Sequence, residues 1–176
     1  MNQIRLKTGE ELTVRRAREE DARRVIDYIN LVAGETDYLS FGENEFEVTE
    51  ERERELIKRF QQSENSFMLL AELNDTIAGL LTLECGNRPR LMHRGEFGLT
   101  VSRVFWGKGI GRVLIEEMLS LAKASDVTRI GLQVRIDNER AIKLYSDLGF
   151  RVEGRLKRFM RIRGEYFDFL QMGIDL

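Results

Sequence analysis

Three glycines alternate with other residues in Trp106-Gly107-Lys108-Gly109-Ile110-Gly111-Arg112, between a strand-like apolar run and a helical pattern. Glycine lets the backbone approach a ligand closely, and the unpaired N–H groups and positive dipole end of the following helix attract an anion. Lys108 and Arg112 add formal positive charge at the same place, which suits a pyrophosphate better than a single carboxylate. The alternative interpretation is a glycine-rich connection that only packs a helix tightly on a sheet.

The spacing of these glycines excludes two common nucleotide-binding motifs. In the dinucleotide pattern Gly-x-Gly-x-x-Gly that starts at Gly107, the last position is Arg112. The Gly-Lys-Ser/Thr triplet of a nucleoside triphosphate loop is also missing from the sequence. The loop by itself therefore predicts an anion at the start of a helix and does not identify the ligand.

Composition predicts one domain that spans residues 1–176, with 42% hydrophobic residues. The 28 basic and 30 acidic residues give a net charge of −2, which disfavours nucleic acid as a partner. The single Cys85 has no partner for an internal disulfide, and the N-terminus shows no apolar targeting segment, so we expect a cytoplasmic protein. No apolar run approaches the roughly 20 residues needed to cross a bilayer. No spacing of His, Cys and carboxylates suggests a metal site.

Apolar periodicity and turn signals predict an α/β protein of the α+β type. We expect a mixed, mostly antiparallel central sheet of about seven strands, with helices on both faces. The predicted strands are 12–15, 67–73, 76–83, 94–101, 129–135, 151–162 and 165–174. The predicted helices are 19–32, 50–62, one after the glycine turn and one from about 137 to 148. Thr49 is expected to cap the second helix, and Gly149 is expected to end the last one.

A second motif, Asn138-Glu-Arg-Ala-Ile-Lys-Leu-Tyr145-Ser-Asp-Leu-Gly149-Phe150, follows the glycine turn and precedes Glu153-Gly154. Together these segments resemble the GNAT superfamily of acetyl-CoA-dependent N-acetyltransferases, over nearly the whole chain. The ending, from Glu153-Gly154-Arg155 to Gly164-Glu165-Tyr166, is similar to the branch that acetylates the N-termini of ribosomal proteins. That branch also contains acetyltransferases for small amines, so the resemblance does not fix a substrate.

The resemblance implies a site for acetyl-CoA as co-substrate. Backbone N–H groups from Gly107 through Arg112 would hold its pyrophosphate, with Trp106 where the family normally has Arg or Gln. Leu99, Thr100 and Val101 fall where the family's splayed strand offers backbone groups to the pantetheine arm. The predicted cofactor-binding residues are Leu99, Thr100, Val101, Trp106, Gly107, Lys108, Gly109, Ile110, Gly111, Arg112 and Asn138.

Two of the motif residues allow a second interpretation. Asn138 matches a family position that contacts the cofactor arm, but Asn before a helix is also an ordinary N-cap. Tyr145 matches the family's general acid, which protonates the departing thiolate, but it is also compatible with a simple core aromatic residue.

An amine must be neutral to attack a thioester, so the reaction needs a proton acceptor. Glu96 is the candidate base, either directly or through a water, because it lies on the strand that enters the acyl-binding segment; the alternative is an exposed strand carboxylate. His93, the only histidine, is a second candidate, although a lone loop histidine is usually a surface residue. Cys85 is expected to pack as a small apolar residue.

The segment 34–49 and the terminal hairpin are expected to flank the acceptor groove, with Glu35, Tyr38 and Phe41 as candidate acceptor contacts. The acidic residues of this segment favour a cationic acceptor, unless they form only a solvated loop. We therefore predict direct, sequential acetyl transfer to a primary amine, on a protein N-terminus or a small cationic molecule. The alternative is an acetyl-CoA-binding sensor or interaction module without turnover, and a homodimer remains open.

Overall fold

The computed structural model describes residues 2–176 and arranges their eight strands in one sheet. The strands are β1 (Asn2–Arg5), β2 (Glu11–Arg16), β3 (Phe67–Leu73), β4 (Thr76–Cys85), β5 (Arg94–Val101), β6 (Arg129–Arg135), β7 (Arg151–Ile162) and β8 (Glu165–Asp175). The α-helices are α1 (Ala22–Ala33), α2 (Glu50–Gln62), α3 (Ile110–Lys123) and α4 (Glu139–Asp147). The spatial order is β1-β2-β3-β4-β5-β6-β8-β7, and only the β5–β6 pair is parallel. The predicted mixed, mostly antiparallel sheet is confirmed.

The predicted count of about seven strands was too low by one, because β1 was missed. This edge strand pairs antiparallel with β2, from Asn2 opposite Val14 to Arg5 opposite Glu11. Only Ile4 within it is partly buried. An edge strand that covers so little of the core needs no alternation of apolar and polar residues, so its sequence carries no strand signal.

Helices cover both faces of the sheet, and this explains why β3 is apolar from Phe67 to Ala71. Phe67, Leu69 and Ala71 belong to the core beneath α3, whereas Met68 and Leu70 belong to a second core beneath α1 and α2. A strand that is buried on both faces loses the alternation of a half-exposed strand and becomes a continuous apolar run. The predicted placement of helices on both faces is confirmed.

Two predicted helix ends have the expected local structure. The Thr49 hydroxyl accepts a hydrogen bond from the Arg52 N–H at 3.3 Å and caps α2. Gly149 follows the last turn of α4 with a φ of +96°, a conformation that ends a helix at little cost only for glycine. Within residues 2–176, no helix has the length and apolar character required for a membrane span.

Candidate functional site

β5 and β6 separate in the middle of the sheet after three residue pairs. Their parallel pairing joins Arg94–Glu96 to residues 129–131, and there it ends. β5 continues to Val101 against β4, while β6 continues to Arg135 against β8. The edges of β5 and β6 that face each other beyond Glu96 therefore carry backbone groups without a sheet partner. Such groups need water or a ligand as partner, which makes this wedge a natural binding site.

The glycine turn follows β5 after a short 3-10 helix, Arg103–Phe105, and leads into α3. Gly107 and Gly109 have φ values of +83° and +88°, and a Cβ on either would meet no atom within 4 Å. These two glycines are therefore required by the backbone conformation and not by packing. Gly109 is the N-cap of α3, and no side chain accepts from the N–H groups of the first turn. Those N–H groups and the helix dipole fit an anionic ligand.

Gly111 differs from the other two glycines. A Cβ at this position would lie 3.4 Å from Leu144 Cδ2 and 3.5 Å from Leu99 Cδ2. These are ordinary van der Waals distances, so neither packing nor backbone conformation requires glycine at this position. The left-handed conformation of Gly107 and Gly109 therefore favours the anion-binding interpretation of the run over close packing alone.

A cavity of about 620 Å³, here called the α3 cavity, lies over the turn and the end of β5. It is lined by ten of the predicted cofactor-binding residues: Leu99, Thr100, Val101, Trp106, Gly107, Gly109, Ile110, Gly111, Arg112 and Asn138. Backbone donors at one end and apolar side chains along the rest fit a molecule with a phosphate group and a long, weakly polar arm. The residues present therefore fit acetyl-CoA.

Lys108 is the predicted cofactor-binding residue that is missing from this lining. Its ammonium group forms an ion pair with the Glu10 carboxylate at 2.6 Å, in the connection between β1 and β2. Arg112 lines the cavity and makes only long ion pairs, at 3.7 Å to Glu116 and to Asp147. Of the two charges predicted beside the phosphate, the Arg112 charge is the less neutralised.

Trp106 holds two arginines at the edge of the α3 cavity. Its indole N–H donates to the Val101 carbonyl at 2.6 Å. The guanidinium groups of Arg103 and Arg140 lie 5.7 Å and 4.9 Å from its ring centre, within the range of cation–π attraction. Arg140 also lines the cavity, and the sequence analysis missed it, because an arginine in the first turn of a helix carries no signal of its own.

Tyr145 projects from α4 into the core and lines the α3 cavity. Its ring packs edge-on against Phe97, with centroids 5.6 Å apart, and against Phe150 at 6.2 Å. Burial raises the pKa of Tyr145 to about 12, which keeps the phenol protonated at neutral pH. The residue is thus a core aromatic whose position also suits a proton donor.

Asn138 caps α4 and lies beside the same cavity. Its side-chain oxygen accepts a hydrogen bond from the Ala141 N–H at 3.2 Å. The oxygen serves the helix, so the NH₂ half of the amide remains for a bound ligand. The cap and the predicted cofactor contact are therefore compatible.

A second cavity of about 320 Å³, here called the wedge cavity, lies where β5 and β6 diverge and is lined by both Glu96 and Tyr145. Glu96 is the last β5 residue paired with β6, its side chain is 49% exposed, and it forms an ion pair with Arg94 at 3.2 Å. The structure thus brings the candidate acid and the candidate base to one cavity. Exposed His93 precedes β5 and does not belong to the lining of this cavity.

Cys85 lies outside the wedge, at the end of β4. Its thiol contacts the Asn65 carbonyl at 3.2 Å, and burial raises the pKa of this thiol. A thiol with a raised pKa is a poor nucleophile, which agrees with the expected packing role.

A third cavity of about 800 Å³, here called the hairpin cavity, lies between segment 33–45 and the β7–β8 hairpin. Glu35, Tyr38 and Phe41, the predicted acceptor contacts, all line it. The Glu35 carboxylate already accepts hydrogen bonds from the Ser102 hydroxyl at 3.1 Å and from the Arg103 N–H at 2.8 Å. The lining contains acidic and basic residues in equal number: Glu35, Asp37, Glu43, Glu45, Arg103, Arg135, Arg161 and Arg163.

Arg135 is a further residue that the sequence analysis missed. It ends β6 with a side chain that is only 10% exposed, and it lines both the wedge cavity and the hairpin cavity. Its sequence signal is a charged residue at the end of a strand that also contains Arg129 and Gln133, which is too common a pattern to indicate a site.

Among residues 2–176, no group of three or more His, Cys, Asp or Glu side chains is placed to share a metal ion.

Comparison with known proteins relates the chain to acetyltransferases. Residues 35–150 match the model of the acetyltransferase (GNAT) family. The L-amino acid N-acetyltransferase AaaT of Escherichia coli K12 is 35% identical over 105 residues, which cover 59% of this chain and 65% of that protein. The first curated relatives are each matched over less than two thirds of their own length.

Solved structures extend the similarity to the whole fold. A GNAT-family acetyltransferase from Streptococcus pneumoniae superposes with a TM-score of 0.91 at 32% identity, covering 94% of this chain and 99% of the other. The acetyltransferase yncA from Salmonella typhimurium, solved with acetyl-CoA, shares the fold with a TM-score of 0.82 at 19% identity, covering 94% of both chains. The family match over most of the chain and the splayed sheet with its glycine turn lead to one conclusion: the chain belongs to the GNAT acetyltransferase family.

Proposed function

We propose that this protein is an N-acetyltransferase that moves the acetyl group of acetyl-CoA directly to a primary amine. The observation that carries the proposal is that the three cavities adjoin one another. Leu99, Asn138 and Tyr145 line both the α3 cavity and the wedge cavity, while Tyr38 and Leu39 line all three. An amine that enters from the hairpin cavity therefore reaches the place where the arm from the α3 cavity ends.

Different residues of the chain bind acetyl-CoA, accept the proton of the amine and donate a proton to the sulfur. Acetyl-CoA supplies an activated thioester. The N–H groups at the start of α3 hold its pyrophosphate, and the unpaired backbone groups of β5 orient the acyl end. Glu96, directly or through a water, accepts the proton that the amine loses. Tyr145 donates a proton to the sulfur as the new C–N bond forms and the C–S bond breaks. The products are an acetylated amine and the free CoA thiol.

Direct transfer is favoured over a covalent acetyl-enzyme. Cys85 is the only cysteine in the sequence, it lines neither the α3 cavity nor the wedge cavity, and its pKa is raised by burial. Both substrates must then occupy the wedge together. The acceptor that we propose is a small cationic amine or a protein N-terminus.

We further propose a cytoplasmic location, because the single cysteine leaves no internal disulfide; cell fractionation tests this.

The proposal is tested by release of CoA thiol with amino acids, polyamines, aminoglycosides and ribosomal N-terminal peptides as acceptors. We expect turnover with at least one class, with mass spectrometry showing one acetyl group on the acceptor. Initial-rate plots at several acceptor concentrations should intersect, because both substrates bind before transfer. Parallel lines would indicate a covalent intermediate. If the protein binds acetyl-CoA but acetylates none of these acceptors, the result would favour a sensor module.

A further inference from the structure

Residues 35–40, here called the strap, cross the mouth of the wedge between β5 and β6. At one end, Glu35 accepts hydrogen bonds from Ser102 and Arg103, which directly follow β5. A few residues later, the strap contacts Arg135, the last residue of β6. The strap therefore connects the ends of the two strands that diverge to form the wedge.

The Arg135 guanidinium fixes the strap through three different contacts. Its Nη1 donates to the Asp37 carbonyl at 3.0 Å. Its Cζ lies 4.3 Å from the ring centre of Tyr38 and 4.4 Å from that of Phe167 in β8. A nearly buried cation at these distances has desolvated cation–π contacts, which are stronger than exposed ones. Strand β6, strand β8 and the strap thus meet at one side chain.

The same guanidinium is oriented by the residue that precedes the α4 cap. Its Nε and Nη2 donate to the two carboxylate oxygens of Asp137, at 2.6 Å and 2.9 Å. This paired geometry holds the guanidinium plane in one orientation, which a lysine ammonium cannot reproduce. Asp137 is followed by Asn138, the cap of the helix that carries Tyr145. Arg135 therefore fixes the strap relative to α4, the helix that supplies the proposed acid.

We propose that Arg135 is a positioning residue for the acceptor amine, acting through the strap. By holding Asp37 and Tyr38 at the end of β6, it sets the passage from the hairpin cavity into the wedge cavity. Tyr38 and Leu39 of the strap line both of these cavities, so a displaced strap changes the path of the acceptor. The same two residues, with Glu35 and Thr36, also line the α3 cavity, so a displaced strap should weaken acetyl-CoA binding to a smaller extent. The pyrophosphate end of the α3 cavity is formed by the turn and α3, to which Arg135 contributes nothing. The inference rests on the proposed function.

The test compares Arg135→Lys and Tyr38→Ala with the wild type. Both variants should lower kcat/KM for the acceptor about tenfold or more, while the Kd of acetyl-CoA rises about threefold or less, because the proposed pyrophosphate site is unchanged. Tyr38→Phe, which keeps the ring, should retain most of the acceptor kcat/KM. The double variant Arg135→Lys/Tyr38→Ala should be little worse than either single variant, because both remove the same contact. Arg158→Lys is the matched control, since Arg158 stacks on Tyr166 at 5.0 Å in the hairpin.

Hydrogen exchange gives a readout that does not depend on turnover. Arg135→Lys should speed amide exchange at least fivefold in residues 35–40 and leave α3 unchanged. Unaltered exchange in the strap would overturn the proposal, as would a parallel loss of acetyl-CoA affinity. If no acceptor is turned over by the wild type, the proposed function fails, but exchange still decides whether Arg135 fixes the strap. If Arg135→Lys does not fold, Tyr38→Ala and Tyr38→Phe test the proposal through the acceptor kcat/KM and the amide exchange of residues 35–40.

Discussion

Replacing Tyr145 by phenylalanine removes one oxygen from the centre of the proposed site. The ring contacts with Phe97 and Phe150, at 5.6 Å and 6.2 Å, remain in the variant. Burial alone accounts for the raised pKa of Tyr145, with no hydrogen bond from another residue of the described chain, 2–176. The substitution therefore leaves no protein group unpaired, and we expect stability to change by about 1 kcal/mol or less.

The expected effect on turnover is much larger than the effect on stability. With a pKa of about 12, only about one Tyr145 phenol in 10⁵ is ionised at pH 7, so the proton is available in almost every molecule. Loss of a positioned general acid lowers rates by about 10²- to 10⁴-fold, which corresponds to about 2.7–5.4 kcal/mol in the barrier. The Kd of acetyl-CoA should stay within about threefold, because Tyr145 lies outside the proposed pyrophosphate site at the start of α3.

The assay measures kcat by thiol release and the Kd of acetyl-CoA by calorimetry. Tyr166→Phe is the control, because Tyr166 is 52% exposed on the β7–β8 hairpin. A kcat within threefold of the wild type would refute the acid role of Tyr145. Equal losses in kcat and in acetyl-CoA affinity would refute it as well, since they would indicate a packing role.

Four further predictions concern the cofactor turn, the sole tryptophan, the N-terminal ion pairs and pH. Gly109→Ala should cost about 1 kcal/mol of stability and weaken acetyl-CoA binding about fivefold, whereas Gly9→Ala, with a φ of +89° and equally open space, should cost only the stability. Because Trp106 is the only tryptophan and lines the α3 cavity, acetyl-CoA should change its fluorescence saturably; a silent titration despite calorimetric binding would contradict this placement. Arg15→Met should lower the free energy of unfolding by about 3 kcal/mol in a denaturant titration, because Asp21 and Glu72 both lose the Arg15 guanidinium, at 2.6 Å and 2.7 Å, and keep only the more exposed Arg24 as a cationic partner; a loss below 1 kcal/mol would contradict this. The wild-type kcat should show no decline near pH 10, the ordinary tyrosine value, because Tyr145 keeps its proton until about pH 12.

The ion pairs of Asp21 also determine how stability responds to acid. Burial alone would raise the pKa of this carboxyl, but hydrogen bonds from the Arg15 guanidinium and the Arg18 N–H outweigh it and lower the pKa. The folded state therefore holds the proton less tightly than the unfolded state does. The stabilisation is present above the unfolded pKa of about 3.8 and is lost as the pH falls through the lower, folded value.

The parts of the site that could be predicted from sequence are those whose geometry is local. The turn from Gly107 to Gly111 requires two left-handed residues, and glycine is the residue that adopts this conformation at little cost. Asn138 and Tyr145 lie on one short helix, so their relative position follows from helical spacing. Such local constraints restrict the residue types at these positions. For this reason the cofactor end of the site could be predicted from the sequence.

The parts that could not be predicted depend on contacts between distant residues. Arg135 and Asp37 are 98 positions apart, and no local pattern shows that they meet. Glu35 and Ser102 are 67 positions apart, so the sequence alone suggests that the Glu35 carboxylate is a solvated side chain in a loop. Strand β1 was missed for a different reason: it pairs with the neighbouring β2, but this exposed edge strand covers too little of the core to need alternating apolar residues.

These distant contacts also change what the acidic residues of segment 34–49 imply about the charge of the acceptor. A carboxylate that accepts two hydrogen bonds from fixed donors, as Glu35 does, has much of its charge compensated before any ligand arrives. Arg161 and Arg163 line the same cavity from the hairpin, so the negative charge of the segment does not make the whole cavity negative. Under the proposed function, the number of acidic residues in the sequence is therefore not enough to predict a cationic acceptor. The strap and the hairpin should determine the acceptor preference, because their contacts set the charge that the acceptor meets.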